Sequence, residues 1–190
     1  MPSSIRRTRL SQPWQERLVM RDGRQLLLRP IEPEDAQALR SGFALLTPEE
    51  VRMRFLHPLK ELTPELAHRL THLRPGREFA LVLAEPLPPG EALIGAVARA
   101  SIDESAHRAE FAILVARLLG HQGLGRLLMQ RLIRWAKLKR LDELYGDVLD
   151  ENLPMLRLAQ SLGFTREHLP NEPGLSRVRL RLRESAALAA

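Results

Sequence analysis

An α/β (α+β) domain is what this sequence predicts, on three observations. Ala109-Glu110-Phe111-Ala112-Ile113-Leu114-Val115 is short, apolar and bounded by charge, as a buried strand is. The glycine-rich stretch Gly120-His121-Gln122-Gly123-Leu124-Gly125 follows it and leads into residues 126–136, where apolar side chains recur at helical spacing. Helix-start chemistry, a Thr before Pro and acids, occurs at Thr47-Pro48-Glu49-Glu50 and again at Thr63-Pro64-Glu65. Strand-like and helix-like stretches therefore follow one another in the order β-α-α-β-β-β-α-β-α-β-β, without internal repeat or linker.

Residues 1–23 carry Arg6, Arg7 and Arg9 and no sustained period, which predicts a loose N-terminal arm closed by the Asp22-Gly23 turn. The folded domain is expected over residues 24–183, with 184–190 as a C-terminal tail. Residues 25–29 read as the first strand. Pro30-Ile31-Glu32-Pro33-Glu34-Asp35 places Pro and acids where a helix begins, and this helix is expected to reach Phe43. Short helices after Thr47 and Thr63 follow. Residues 79–84 are too few for a helix and read as a strand, and the turn at 86–90 joins them to a longer strand over 92–102. Residues 108–115 are the next strand, and the long helix after the glycines ends near Arg140. A strand over 143–149, a helix over 152–162 and strands over 165–168 and 175–183 complete the chain.

Hydrophobic residues make up 44% of the 190 and charged ones 27%, enough for one buried core. The absence of cysteine excludes disulfides, thiolate metal sites and a cysteine nucleophile. No apolar run approaches the roughly twenty residues a membrane helix needs, and Arg6-Arg7 is followed by Ser11-Gln12-Pro13-Trp14, not by the apolar segment of an export signal. A cytoplasmic protein with no membrane partner is expected. The net charge of +6 comes almost wholly from arginine, and an aromatic content of 4% is low for a surface that stacks on single strands, so nucleic acid is not an expected partner. The positive field suits an anionic cofactor or an acidic protein equally.

Glycines between a strand and a helix let backbone N–H groups approach a ligand, and the first turn of the helix leaves further N–H groups unpaired, which makes an anion site. The Gly-Lys-Ser/Thr of a nucleotide triphosphate loop is missing, and so is the acidic second strand of a dinucleotide fold. The spacing of Gly120-His121-Gln122-Gly123-Leu124-Gly125 instead resembles the pyrophosphate loop of the GNAT N-acetyltransferase superfamily, Arg/Gln-x-x-Gly-x-Gly/Ala, with Gly120 standing where that family has Gln or Arg. Downstream, Asp150-Glu151-Asn152-Leu153-Pro154-Met155-Leu156-Arg157-Leu158-Ala159-Gln160-Ser161-Leu162-Gly163-Phe164 is similar to the GNAT segment in which an Asn opens a helix ending in Leu-Gly-Phe. Leu28-Arg29-Pro30-Ile31-Glu32-Pro33-Glu34-Asp35, Arg52-Met53-Arg54-Phe55-Leu56 and Pro58-Leu59-Lys60-Glu61-Leu62 look like the GNAT domain of bacterial protein lysine acetyltransferases that act on acyl-CoA synthetases. The resemblance spans residues 24–183. It implies a mixed, mostly antiparallel central sheet of about seven strands with about four helices, acetyl-CoA as co-substrate, and direct transfer of acetyl to an amine, with protein lysine as the first acceptor. A small-molecule amine acetyltransferase and a catalytically idle CoA-binding regulatory module are the alternatives.

Specific residues are then assigned to this chemistry. An amine acceptor such as lysine, with a pKa near 10.4, has to lose a proton before it attacks. In the resembled enzymes a Glu of the matching Ala-Glu-Phe segment is the general base, which points to Glu110; the structural alternative is a strand-edge Glu paired with Arg108 or another arginine. Backbone groups at Ile113, Leu114 and Val115 would receive the pantetheine arm and the thioester carbonyl. The resemblance places Gly120, His121, Gln122, Gly123, Leu124, Gly125 and Arg126 around the pyrophosphate. Asn152 is either a cofactor contact or a helix cap. Many GNAT enzymes have a Tyr seven residues after this Asn, where this chain has Ala159, and no general acid is assigned. His68 and His72 lie four apart but lack a third ligand, so no metal site is expected. Arg177, Arg179, Arg181 and Arg183 alternate along the last strand, either as a solvent face balanced by neighbouring acids or as a surface for a second subunit or an acidic partner.

Overall fold

The computed structural model of the chain describes residues 14–119 and 122–183. One eight-stranded sheet runs through it in the order β1-β2-β3-β4-β5-β6-β8-β7. The strands are β1 (Glu16–Val19), β2 (Gln25–Pro30), β3 (Glu78–Ala84), β4 (Ile94–Ile102), β5 (Arg108–Val115), β6 (Glu143–Leu149), β7 (Thr165–His168) and β8 (Leu175–Arg181). The helices are α1 (Ala36–Phe43), α2 (Pro48–Phe55), α3 (Pro64–Thr71), α4 (Leu124–Leu138) and α5 (Leu153–Ser161). Every strand pairing is antiparallel except that of β5 with β6. This is the mixed, mostly antiparallel sheet expected, with one strand more than the sequence suggested.

The extra strand is β1, which lies inside the expected N-terminal arm. Its Glu16, Arg17, Leu18 and Val19 pair with Leu28, Leu27, Leu26 and Gln25, and the Met20 N–H donates to the Arg24 carbonyl across the turn at Gly23. As an edge strand it needs only one hydrogen-bonded side and one half-buried face, so four residues of which two, Glu16 and Arg17, are charged show no strand pattern in the sequence. Residues 1–13 and the expected tail at 184–190 lie outside the described residues.

Both faces of the sheet are covered, which is why β3 is apolar from Phe79 to Ala84. Leu81 and Leu83, with Ala96, Ala98 and Ala100 of β4, face Leu128, Met129, Leu132 and Ala136 of α4. Ala80, Val82 and Ala84 face the other way, toward Leu39 of α1 and Ala67 of α3. Thr47 and Thr63 cap α2 and α3 as their sequence predicts, accepting from Glu50 N at 3.2 Å and Leu66 N at 3.2 Å. The helix expected from Pro30 begins only at Ala36. Asp35, fully buried, is held by both terminal nitrogens of Arg29 at 2.7 and 2.8 Å and accepts from Glu32 N, which bends the entry into a 3-10 turn.

Candidate active site

The two parallel strands stay together for only three residues. Arg108, Ala109 and Glu110 pair with Glu143, Leu144 and Tyr145, after which β5 and β6 separate while β5 remains paired to β4 as far as Val115. The Phe111 ring lies on Gly146 at the point of separation, so close that a Cβ there would be 2.8 Å from it. Strand alternation then decides which backbone groups face the opening. Asp142 N donates to His107 O on the β6 side, while Ala116 N donates to Gly95 O on the β4 side. Odd-numbered residues of β5 therefore face β6, and Phe111, Ile113 and Val115 present N–H and C=O to a cleft where no strand meets them. Leu114 has its backbone in the ladder opposite Val97, so of the three residues expected to donate there it supplies only its side chain to the cleft wall. The cleft between the parted strands measures about 610 Å³.

Its far end is the start of α4. Gly123, at φ +77°, occupies the cap position and offers no side-chain acceptor. The first intrahelical bond is Leu127 N to Gly123 O at 3.1 Å, so the N–H groups of Gly123, Leu124, Gly125 and Arg126 have no partner within the helix. Leu124 turns its side chain into the core. A Cβ on Gly125 would meet Leu158 Cδ2 at 3.2 Å, so α4 and α5 approach closely here. Gln122 Oε1 accepts from Arg21 N at 3.2 Å and ties the turn to the β1–β2 loop. Arg126 donates to Ser161 Oγ at 2.7 Å, which directs its charge to the far end of α5 and away from the turn. Gly120 and His121 lie outside the described residues. Asn152 is the cap of α5, its Oδ1 accepting from Met155 N at 3.2 Å, and it lines the cleft in that role.

Glu110 stands at the branch point, on the face it shares with Ala112 and Leu114, and opens to the cleft. Arg108, its sequence neighbour, binds Asp103 at 2.9 Å and stacks over Tyr145, so the expected alternative of a Glu110–Arg108 pair is not formed. Loss of water around the Glu110 carboxyl, and then the negative charge of Asp147, push its pKa above the usual value, against a smaller pull from Arg177 and Arg54. Asp147 is gripped by Arg177 through two bonds of 2.7 and 2.8 Å, and Arg177 covers the Tyr145 ring at 4.7 Å. Arg54, reaching in from α2, has no hydrogen-bonded acceptor or ion-pair partner among the described residues and lies 4.9 Å from the Phe55 ring centroid. Burial, then the charge of Arg99, push its pKa down to about 10. Glu50 fastens α2 to the segment after β5 by accepting from Thr47 N and from Arg117 N at 2.8 Å. Arg52 of α2 pairs with Glu151 across the mouth.

Sequence reasoning did not place Arg54, Asp147 or Arg177 in the site. The Arg52-Met53-Arg54-Phe55 wording was the one signal for Arg54, and the positions of Asp147 and Arg177 follow from the β6–β8 register. Of the alternating arginines, Arg177 pairs with Asp147, Arg179 with Glu167 and, beyond the strand, Arg183 with Asp142, while Arg181 has no ion-pair partner among the described residues. His68 and His72 stack at 3.6 Å between ring centroids, and no group of three metal-ligating side chains converges among the described residues. No helix among them is long and apolar enough to cross a membrane.

Comparison with known proteins agrees with this architecture. An acetyltransferase of Pseudomonas aeruginosa is 29% identical over 151 residues, covering 80% of this chain and 81% of that protein. Among solved structures, the GNAT domain of S. lividans PAT superposes with a TM-score of 0.76 at 24% identity, covering 89% of this chain and 97% of that domain. The yncA protein of Salmonella typhimurium, solved with its cofactor acetyl-CoA, gives 0.63 at 21% identity over 87% of this chain and 98% of its own. The cAMP-binding acyltransferase of Mycobacterium smegmatis gives 0.60 at 21% over 90% of this chain but 48% of its own. These structures share the fold. The family model of the acetyltransferase (GNAT) domain matches residues 25–165, and the chain belongs to that family.

Proposed function

We propose that this chain is an acetyl-CoA-dependent N-acetyltransferase that moves acetyl directly to an amine, with Glu110 as general base. The observation that carries the reading is the open β5 edge, which starts just past Glu110 in a cleft whose far end is the start of α4. The N–H groups of residues 123–126, without a partner among the described residues, suit the cofactor's pyrophosphate, and those of Ile113 and Val115 suit its pantetheine amides and thioester carbonyl. The cofactor supplies an activated acetyl thioester. Glu110 takes a proton from the incoming ammonium, directly or through water, and the neutral nitrogen attacks the carbonyl carbon. A C–N bond forms, the C–S bond breaks, and a β5 N–H holds the charge that develops on oxygen. The attacking nitrogen still carries one proton too many, which passes directly or through water to the departing thiolate, whose thiol pKa lies near that of cysteine, about 8.5; amide and CoA thiol leave neutral, and the alanine at 159 leaves no gap in the chemistry.

Protein lysine is the acceptor suggested by the likeness to the GNAT domain of PAT. A small-molecule amine is the second reading, favoured by a further cavity that adjoins the cleft beside Glu110's neighbour Arg54. Glu110→Gln tests the common core of both. Acetyl-CoA affinity should stay within about twofold while kcat/KM falls by roughly a hundredfold or more. Full transfer activity in this variant would remove Glu110 as the base.

A further inference from the structure

A second cavity of about 410 Å³ lies between β4 and the layer of α1, α2 and α3. Leu39, Phe43, Leu62, Leu70 and Val97 give it apolar walls, and the exposed Leu45, Leu93 and Leu118 stand among its lining. It shares Glu50, Arg54, Phe55 and Leu114 with the cofactor cleft, so the two spaces meet at these residues, and Glu110 lines the cleft side. Four arginines and two carboxylates line it: Arg24 pairs with Asp22, Arg117 with Glu49, and Glu50 and Glu85 accept from Arg117 N and Leu93 N, which leaves Arg54 and Arg99. Arg99 is served by Glu78 at 3.6 Å, but the same carboxylate also binds Arg74 at 3.3 Å. Arg54, half-buried between the two spaces, has no acceptor among the described residues, and a carboxylate is the partner that fits its planar fork of donors.

From this juxtaposition we infer that the cavity is the acceptor site and takes a free α-amino acid with a large apolar side chain. The carboxylate sits on Arg54, the amine faces Glu110, and the side chain fills the apolar space. Glu110 and Arg54 line the same cleft with opposite charges and no ion pair between them, and a zwitterion matches the two group for group. A lysine side chain entering from a protein brings an ammonium but no carboxylate, and leaves Arg54 as it is in the empty site. A volume of this size holds any apolar amino acid side chain, whereas glycine or aspartate leaves the apolar walls uncovered. The inference deepens the small-molecule reading above and rests on Glu110 acting as base.

The test uses the full chain with acetyl-CoA and a panel of leucine, methionine, phenylalanine and tryptophan, their carboxamides, glycine, aspartate and a lysine-containing peptide. Product is followed by CoA thiol release and by mass, and amino-acid binding by calorimetry without cofactor. The apolar amino acids should be acetylated with KM at least tenfold below that of their amides. Arg54→Met should raise that KM by tenfold or more with kcat changed only a few-fold and acetyl-CoA affinity unchanged, and Arg54→Lys should recover part of the loss. Equal KM for acids and amides overturns the assignment of the cavity, as does acetylation of the peptide alone or absence of both binding and transfer for every amino acid. The first two results leave Glu110 as base intact. Failure of the transferase reading itself would show separately, as equal activity of wild type and Glu110→Gln on whichever amine reacts.

Discussion

Gly146→Ala probes the wedge that parts β5 from β6. A Cβ at this position would lie 2.8 Å from Cε1 and Cζ and 3.0 Å from Cδ1 of Phe111, where carbon atoms ordinarily keep about 3.5–4.0 Å. The ring would have to move by roughly 0.7 Å. It has little room, being 4% exposed and set edge-on against Phe164 at 5.5 Å. Overpacking of this kind costs about 1–3 kcal/mol, and replacing a strand glycine recovers about 0.5–1 kcal/mol, so a net loss of about 1–2 kcal/mol is expected. Urea unfolding should show a lower midpoint at unchanged slope. In a Phe111→Leu background the loss should shrink by about 1 kcal/mol, the coupling expected of residues in contact. Acetyl-CoA affinity should fall too, because the open edge of β5 begins at this residue. A neutral Gly146→Ala, or one equally costly without the Phe111 ring, would refute the wedge.

Glu110→Gln should also change stability with pH. A carboxyl whose folded pKa is raised stabilises the fold while protonated and loses that contribution as pH rises through the raised value. The variant should therefore melt higher than wild type at neutral pH, with the difference vanishing below the ordinary carboxylate pKa, as read from melting curves across pH. Asp35 behaves oppositely. Its bonds to Arg29 and to Glu32 N outweigh burial and lower its pKa, so its contribution is present at neutral pH and is lost as pH falls through the folded value. Asp35→Asn, which leaves Arg29 buried without its charge partner, should lose about 3–5 kcal/mol in denaturant unfolding. Asn152→Ala should cost about 0.5–2 kcal/mol through the lost cap while acetyl-CoA affinity stays within twofold. A larger fall in affinity would make Asn152 a cofactor contact after all.

What could be read from the sequence was local. The caps at Thr47 and Thr63, the apolar run of β5 and the period of α4 are set by residues within a turn or two of one another, and they stand where expected. The turn at Gly123 and the base candidate Glu110 were legible for the same reason, since they follow one another along a single strand and loop. Long-range pairing hid the rest. Glu16 to Val19 become a strand only because β2 offers its edge. Arg177 becomes a neighbour of Glu110 only because the β6–β8 register sets it opposite Asp147. Arg54 reaches the site because α2 lies over the sheet, held by Glu50 to Arg117 N. Likewise, Arg126 looked like an anion ligand from its place in the loop, and its bond to Ser161 depends on where α5 lies.

Calorimetric titration of the full chain with acetyl-CoA, at two temperatures so that a vanishing enthalpy does not hide binding, tests the central claim most directly. The open β5 edge and the uncapped start of α4 predict one site per chain with a dissociation constant on the order of micromolar. Absence of binding at millimolar acetyl-CoA at both temperatures would contradict the claim, because the donors at Ile113, Val115 and residues 123–126 would then serve no cofactor.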